Sequence, residues 1–224
     1  MSRPFIVFDM DDTLYLERDF CLSGYRAVGD AARSEFGIDG LEAAAGKLFL
    51  GGERSRIFDR ALTALGHAPD RGMVDHFVSI YRSHMPRIAL APDARRYLER
   101  MEGPGGLITD GPAATQGSKA AALGLSRWLD PILLTGAMGA GAGKPSPVAY
   151  AEVERLTGRA GDTLAYVADN PAKDFVTPRA RGWRTVMIAR AERVHTAPAP
   201  NAAHEAHRRI ETLDALDAAL DLIG

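Results

Sequence analysis

The run Phe5-Ile6-Val7-Phe8, with Asp9-Met10-Asp11-Asp12-Thr13 directly behind it, constrains this chain more than any other stretch. Four consecutive apolar residues, β-branched or aromatic, read as a buried strand. Acids crowded at its end repel and raise one another's pKa unless a cation sits among them. The pattern therefore implies a divalent-metal site of oxygen ligands, the kind Mg2+ prefers. Asp9 and Asp11, two residues apart, can point into one pocket, whereas Asp12 alone would suit an N-cap or an acidic turn. In open α/β sheets ligands gather at the carboxyl ends of the strands, and these acids stand at such an end.

Behind Thr13 the pattern turns helical. Residues 23–36 place Tyr25, Val28, Ala32 and Phe36 on one face, and Gly37 is a stop signal. Further helices are predicted over 41–50, 54–65 and 72–85, separated by Gly51-Gly52 and by the turn at 66–69. A helical block of roughly seventy residues is too long for a crossover link. It predicts an all-helical cap, residues 16–87, inserted into a core domain of residues 1–15 and 88–224. From Pro92 helices and strands alternate. Helices are expected at 93–101, 116–123 and 147–156, the last with Ser146 as N-cap and Pro147 at its first position. Strands are expected at 106–109, 132–134, 163–168 and 185–189, with an exposed loop at 190–207 and a closing amphipathic helix at 213–223. Alternation of this kind predicts an α/β fold with a doubly wound, mostly parallel sheet.

A length of 224 residues accommodates such a core with an insertion. The formal net charge of −2 offers no footprint for nucleic acid or an anionic membrane. The one cysteine, Cys21, excludes an intrachain disulfide and a thiolate metal site, and reads as a small helix-face residue. Neither a signal run nor an apolar stretch of about 20 residues is present, so a cytoplasmic protein is expected.

Three more groups fall where the predicted strands end. Thr109 follows Gly106-Leu107-Ile108, Lys144 precedes Pro145 and the predicted helix, and Asp169-Asn170-Pro171-Ala172-Lys173-Asp174 follows Tyr166-Val167-Ala168. The glycine-rich run 136–143 ahead of Lys144 is not a P-loop. Met138 occupies the place of the first required glycine, and Pro145 that of the Ser or Thr that would hold Mg2+. It reads instead as a mobile loop delivering Lys144.

Taken in order, these groups resemble the four motifs of the haloacid dehalogenase-like superfamily: Asp-x-Asp-x-Thr, a strand ending in Ser or Thr, a Lys, and a strand ending in Asp with a second Asp shortly after. The resemblance covers the whole chain and points to the phosphatase branch with a small helical cap, like that of phosphoglycolate phosphatases. Two departures stand out: Asp110 where many members carry Asn, and Ala168 where Gly commonly precedes the metal-binding Asp.

The resemblance implies Mg2+-dependent hydrolysis of a small-molecule phosphate monoester. Asp9 would be the nucleophile, forming an aspartyl-phosphate. Asp11 would protonate the leaving oxygen and then deprotonate water. Mg2+ would be held by the Asp9 carboxylate, the Asp11 backbone carbonyl and Asp169, with Asp174 acting through water or by orienting Lys144. Thr109 and Lys144 would hold the phosphoryl oxygens, with Asp12 as a backbone amide donor, Thr13 as a turn stabiliser, and Asp110 and Gly111 beside the phosphate. An acid at position 11 argues for a phosphatase or a phosphomutase over a dehalogenase; hydrolysis is the expectation, phosphomutase the alternative, and a non-catalytic phosphate-binding module the remaining one. The partner would be a phosphosugar, phosphoglycolate or a nucleotide, handled by a monomer or homodimer without nucleic acid or membrane. In the cap, Arg54 and Arg56 beside Gly51-Gly52 would either grip a second anionic group of the substrate or form a solvated turn. His67, His76 and His84 read as structural or surface residues.

Overall fold

The computed structural model describes residues 3–223. β1 (Phe5–Phe8) is followed by four helices, α1 (Glu17–Phe36), α2 (Leu41–Leu50), α3 (Ile57–Ala64) and α4 (Arg71–Ser83). Helices and strands then alternate: α5 (Pro92–Arg100), β2 (Gly105–Thr109), α6 (Ala113–Ala122), β3 (Leu129–Leu134), α7 (Val148–Thr157), β4 (Leu164–Ala168), α8 (Val176–Ala180), β5 (Arg184–Ile188), β6 (Arg208–Ile210) and α9 (Leu216–Asp221). Two compact units result, one of Met1–Glu17 with Ala89–Gly224 and one of Arg18–Ile88.

The first unit is built on a six-stranded sheet of order β3-β2-β1-β4-β5-β6. Every pairing is parallel, as the alternation predicts. The chain builds outward from β1 through β2 to β3, then returns to place β4 on the other side of β1. That reversal makes β1 and β4 the switch point, beyond whose carboxyl ends the connecting segments leave toward opposite edges of the sheet, the place where open α/β sheets bind ligands. Parallel strands covered on both faces need apolar side chains throughout. Val7, Phe8, Leu107 and Ile108 are fully buried, as is every residue of β4. Tyr150 packs edge-on against Tyr166 and Trp183, with ring centroids 5.3 and 5.6 Å apart, and the buried Trp183 indole donates to Glu154 at 2.9 Å.

Both sheet edges are blunted. β3 contains Pro131, whose missing N–H is tolerated on an edge strand. β6 is three residues long and exposes Arg208 and Arg209. No alternation betrays so short a strand, and neither β6 nor the five-residue α8 was expected from the sequence. Of residues 190–207 only the 3-10 turn Ala202–His204 is regular. α1 begins at Glu17, six residues earlier than its apolar stripe predicts. The Ser146 expectation is corrected: α7 starts at Val148 with Pro147 in the cap position and no side-chain cap.

The second unit contains α1 from Arg18 onward together with α2, α3 and α4. Tyr25 on α1 gathers Phe49, Phe58 and Tyr81 at centroid distances of 5.9, 6.0 and 5.7 Å. Gly29 permits the close approach of α2, since a Cβ there would stand 2.8 Å from the Glu42 Cβ. Cys21 is buried on α1 and accepts from the Tyr81 hydroxyl at 3.2 Å. No helix among the described residues is long and apolar enough to cross a membrane.

Candidate active site

The switch point receives Asp9 from the end of β1 and Asp169 from the end of β4. Asp9 continues the pairing beyond its strand, its N–H donating to the Val167 carbonyl at 2.8 Å. Asp174 enters from the turn after Asp169, where its carboxylate accepts from the Asn170 N–H at 2.9 Å. Carboxylate oxygens of Asp9, Asp169 and Asp174 all lie within 4.8 Å of one another, and all three residues are buried. Lys144 reaches them from the segment after β3. Its Nζ is 2.6 Å from Asp9 Oδ1, 2.8 Å from Asp174 Oδ1 and 3.0 Å from the Tyr166 hydroxyl. α7 starts only at Val148, and the Lys144 ammonium is stabilised by the Asp9 and Asp174 carboxylates.

The three acids of the first motif take three different environments. Asp11 points to α6, where it accepts from Lys119 Nζ at 2.7 Å and Gln116 Nε2 at 2.9 Å, and it also accepts from the Tyr15 hydroxyl. Asp12 adopts the left-handed region at φ 50, and its carboxylate accepts from the Glu17 and Val194 N–H groups at 2.9 and 2.6 Å. Thr13 is fully buried, yet its hydroxyl has no hydrogen-bond partner among the described residues. The turn is tied instead through the Thr13 carbonyl, which accepts from Arg190 Nε and Nη2 at 3.1 and 2.7 Å. Thr109 is buried at the end of β2 and accepts from Gln116 Nε2 at 2.6 Å, so one amide joins it to Asp11. Asp110, expected beside a phosphate, spends both carboxylate oxygens on protein donors: Thr135, the Lys144 N–H and Lys173. The run after β3 is correspondingly braced by turns from Met138 to Thr135, Ala142 to Gly139 and Ser146 to Gly143.

A family profile described as haloacid dehalogenase-like hydrolase matches residues 5–182. The chain belongs to the haloacid dehalogenase-like hydrolases. A phosphoserine phosphatase of Thermus thermophilus is 31% identical over 173 residues, which is 76% of this chain and 67% of that protein. YfnB of Bacillus subtilis, assigned as a HAD-hydrolase and solved with magnesium, shares the fold at a TM-score of 0.71 with 16% identity, over 99% of this chain and 100% of that one. The L-2-haloacid dehalogenase of Xanthobacter autotrophicus does so at 0.63 with 17% identity, over all of both chains.

The charge balance of this haloacid dehalogenase-like site is uneven. Burial pushes the Asp9 carboxyl up to about 6 against the pull of Lys144, with Asp174 and Asp11 adding to the rise. Burial also pushes Asp169 up to about 9, reinforced by Asp9 and Asp174. For Asp11 burial acts upward too, but Lys119, Tyr15 and Gln116 outweigh it and hold the carboxyl below its ordinary value. Lys144 is also desolvated, yet Asp174 and Asp9 hold its ammonium well above the usual lysine range. Among the oxygens of these three carboxylates, buried Asp169 Oδ2 has neither a hydrogen-bond nor an ion-pair partner among the described residues, whereas Asp174 Oδ1 has the Lys144 ammonium. Three converging carboxylates, two of them raised and one with an orphaned oxygen, fit a hard, oxygen-preferring divalent cation.

Arg54 and Arg56 belong to the second unit and have local partners. Arg54 Nη1 donates to the carbonyls of Phe49 and Glu53 at 2.6 and 2.8 Å, and its guanidinium lies over the Phe49 ring. Arg56 is exposed and pairs with Asp59 at 3.0 Å. His84 is held by the Tyr81 carbonyl and Ser23 at 2.7 and 3.1 Å, and His76 pairs with Glu35 at 2.8 Å. Sequence reasoning missed Lys119, Gln116, Tyr15, Lys173 and Arg190. Gln116 and Lys119 carried a usable signal, since they stand three apart on the helix that follows Thr109 and so share a face.

Proposed function

We propose that this chain hydrolyses phosphate monoesters of small metabolites through attack by Asp9, with Mg2+ held by the Asp9 and Asp169 carboxylates and the Asp11 carbonyl, and with Asp174 nearby. The observation that carries this reading is the buried convergence of Asp9, Asp169 and Asp174 on Lys144. Lys144 keeps Asp9 oriented and supplies positive charge for phosphoryl oxygens, while the Thr109 hydroxyl, whose oxygen accepts from Gln116, keeps its proton free for them. When bound, Mg2+ would neutralise charge between the Asp9 carboxylate and a phosphate dianion. Asp11 gives a proton to the leaving oxygen and then takes one from the water that releases phosphate. Because Lys119, Gln116 and Tyr15 hold its carboxyl below the ordinary value in the free protein, the first step requires that it take up a proton as the dianionic ester arrives. An acid at this position also favours phosphate esters over carbon–halogen bonds, whose leaving halide needs no proton. The likeness to a phosphoserine phosphatase supports the phosphatase branch and makes phosphoserine the first ester to try. In this reading the inserted helical unit is the cap, and substrate choice rests there.

The test is release of inorganic phosphate from phosphoserine, phosphoglycolate, phosphosugars and nucleoside monophosphates, with Mg2+, with EDTA and with Asp9→Asn. Turnover that vanishes in both controls supports the mechanism. Folded protein with Mg2+ that turns over none of these esters refutes it.

A further inference from the structure

We propose that Asp110 is a positioning residue that binds the segment carrying Lys144 to the end of β2, with Lys173 as its counter-ion. Asp110 Oδ1 accepts from the Lys144 N–H at 3.1 Å and from Thr135 Oγ1 at 2.8 Å, while Oδ2 accepts from Lys173 Nζ at 2.9 Å. One carboxylate thus joins the segments that follow β2, β3 and β4. The backbones around it are pressed together as well: a Cβ on Gly136 would stand 2.2 Å from the Gly111 carbonyl oxygen. Lys144 is clasped at both ends, its N–H on Asp110 and its Nζ on Asp9 and Asp174.

This division of oxygens explains why a carboxylate suits the position. An Asn side chain has a single acceptor oxygen. That oxygen could still serve Thr135 and the Lys144 N–H, but the amide nitrogen would then face the Lys173 ammonium, donor against donor. Asp110 gives every donor an acceptor, and Lys173 offsets the charge it adds beside the candidate site.

The kinetic part of this inference rests on the phosphatase reading; the structural part does not. Hydrogen–deuterium exchange of the peptides covering residues 136–147 is measured on Asp110→Ala, Asp110→Asn and Thr135→Val, without substrate. Asp110→Ala is expected to speed exchange there by about tenfold, the worth of one charge-assisted hydrogen bond. Peptides from β4 should be unchanged, and Asp110→Asn should keep the protection. If Asp110→Ala does not fold, Thr135→Val is the informative variant, with a smaller acceleration confined to the same peptides. Unchanged exchange in a folded Asp110→Ala overturns the anchoring role, whatever the enzyme's substrate.

On whichever ester is turned over, Asp110→Ala is expected to lower kcat about 10²-fold through misplacement of Lys144, with KM little changed. Recovery of most of kcat in Asp110→Asn supports anchoring through Oδ1. A raised KM with kcat intact would make Asp110 a ligand-binding group and refute the proposal.

Discussion

Replacing Arg190 with Met probes how the turn that carries the site acids is held. Arg190 is 9% exposed and lies outside every regular element. Its Nη1 donates to both Asp93 oxygens at 2.9 and 3.1 Å, and its Nε and Nη2 donate to the Thr13 carbonyl. Asp93 also accepts from the Leu213 N–H at 2.7 Å and from Thr212 Oγ1 at 3.1 Å. The Arg190–Asp93 pair therefore joins the turn after β1, the start of α5 and the segment ahead of α9. Met retains most of the apolar stem, so the loss is chiefly polar. Breaking a buried pair from one side costs about 3–5 kcal/mol, and an unsatisfied Thr13 carbonyl adds about 1 kcal/mol. The two donors that Asp93 keeps soften this, so a net loss of about 3–4 kcal/mol is expected.

Urea unfolding followed by tryptophan fluorescence is the assay, because Trp128 and Trp183 both lie in the first unit. The sign of the pH dependence is also fixed. Burial would raise the Asp93 carboxyl, but the Leu213 N–H and Arg190 outweigh it and hold the group below 3.8. A depressed carboxyl contributes stability that is present above its unfolded value and lost as pH falls through the folded one. Without Arg190 the Asp93 pKa rises, so the variant relieves its buried charge by taking up a proton sooner. The deficit should be largest at neutral pH and shrink toward about pH 4. A deficit under about 1 kcal/mol, the size of an ordinary surface effect, or one that grows on acidification, refutes the argument.

Other perturbations follow from the same geometry. Lys119→Met removes the cation 2.7 Å from Asp11; its carboxyl should rise, and the acid limb of the kcat–pH profile should move to higher pH, an unmoved limb counting against Asp11 as the base. Gly136→Ala forces a methyl group against the Gly111 carbonyl and should cost about 1–3 kcal/mol in the same urea assay, whereas a neutral result would mean the two turns part freely. With Asp169 raised to about 9, Mg2+ binding at pH 7 should release close to one proton, read by calorimetry in buffers of different ionisation enthalpy. Saturation at a hundred times Kd should stabilise the fold by about 2.7 kcal/mol, and Asp169→Asn should abolish the gain.

The parts of this molecule legible in its sequence are those where a residue contradicts its surroundings. Acids at the ends of the most hydrophobic strands, after Phe8 and after Ala168, have no structural reason to be there, and the strands themselves show as unbroken apolar runs. Residues whose type agrees with a bland setting were invisible. Lys119 on a helix looks like a solvated charge, and the partner that makes it buried, Asp11, is 108 positions away. Arg190 lies in an aperiodic stretch, 97 positions from Asp93. Ser146-Pro147 carries the usual signature of a helix start, yet the helix begins at Val148 and Ser146 caps nothing.

The first motif shows the boundary most clearly. Asp9, Asp11 and Asp12 are the same residue within four positions, and their composition says only that negative charge collects there. Lys144 from the segment after β3 engages the first, Lys119 and Gln116 from α6 engage the second, and two backbone N–H groups engage the third. Which acid stands beside the candidate cation site, which is held ionised against α6, and which serves as a cap is therefore decided by elements more than a hundred residues distant for all but one of those contacts. Asp110 follows the same rule: read alone it is an extra charge beside a phosphate, but Thr135, Lys144 and Lys173 turn it into the point where three segments meet.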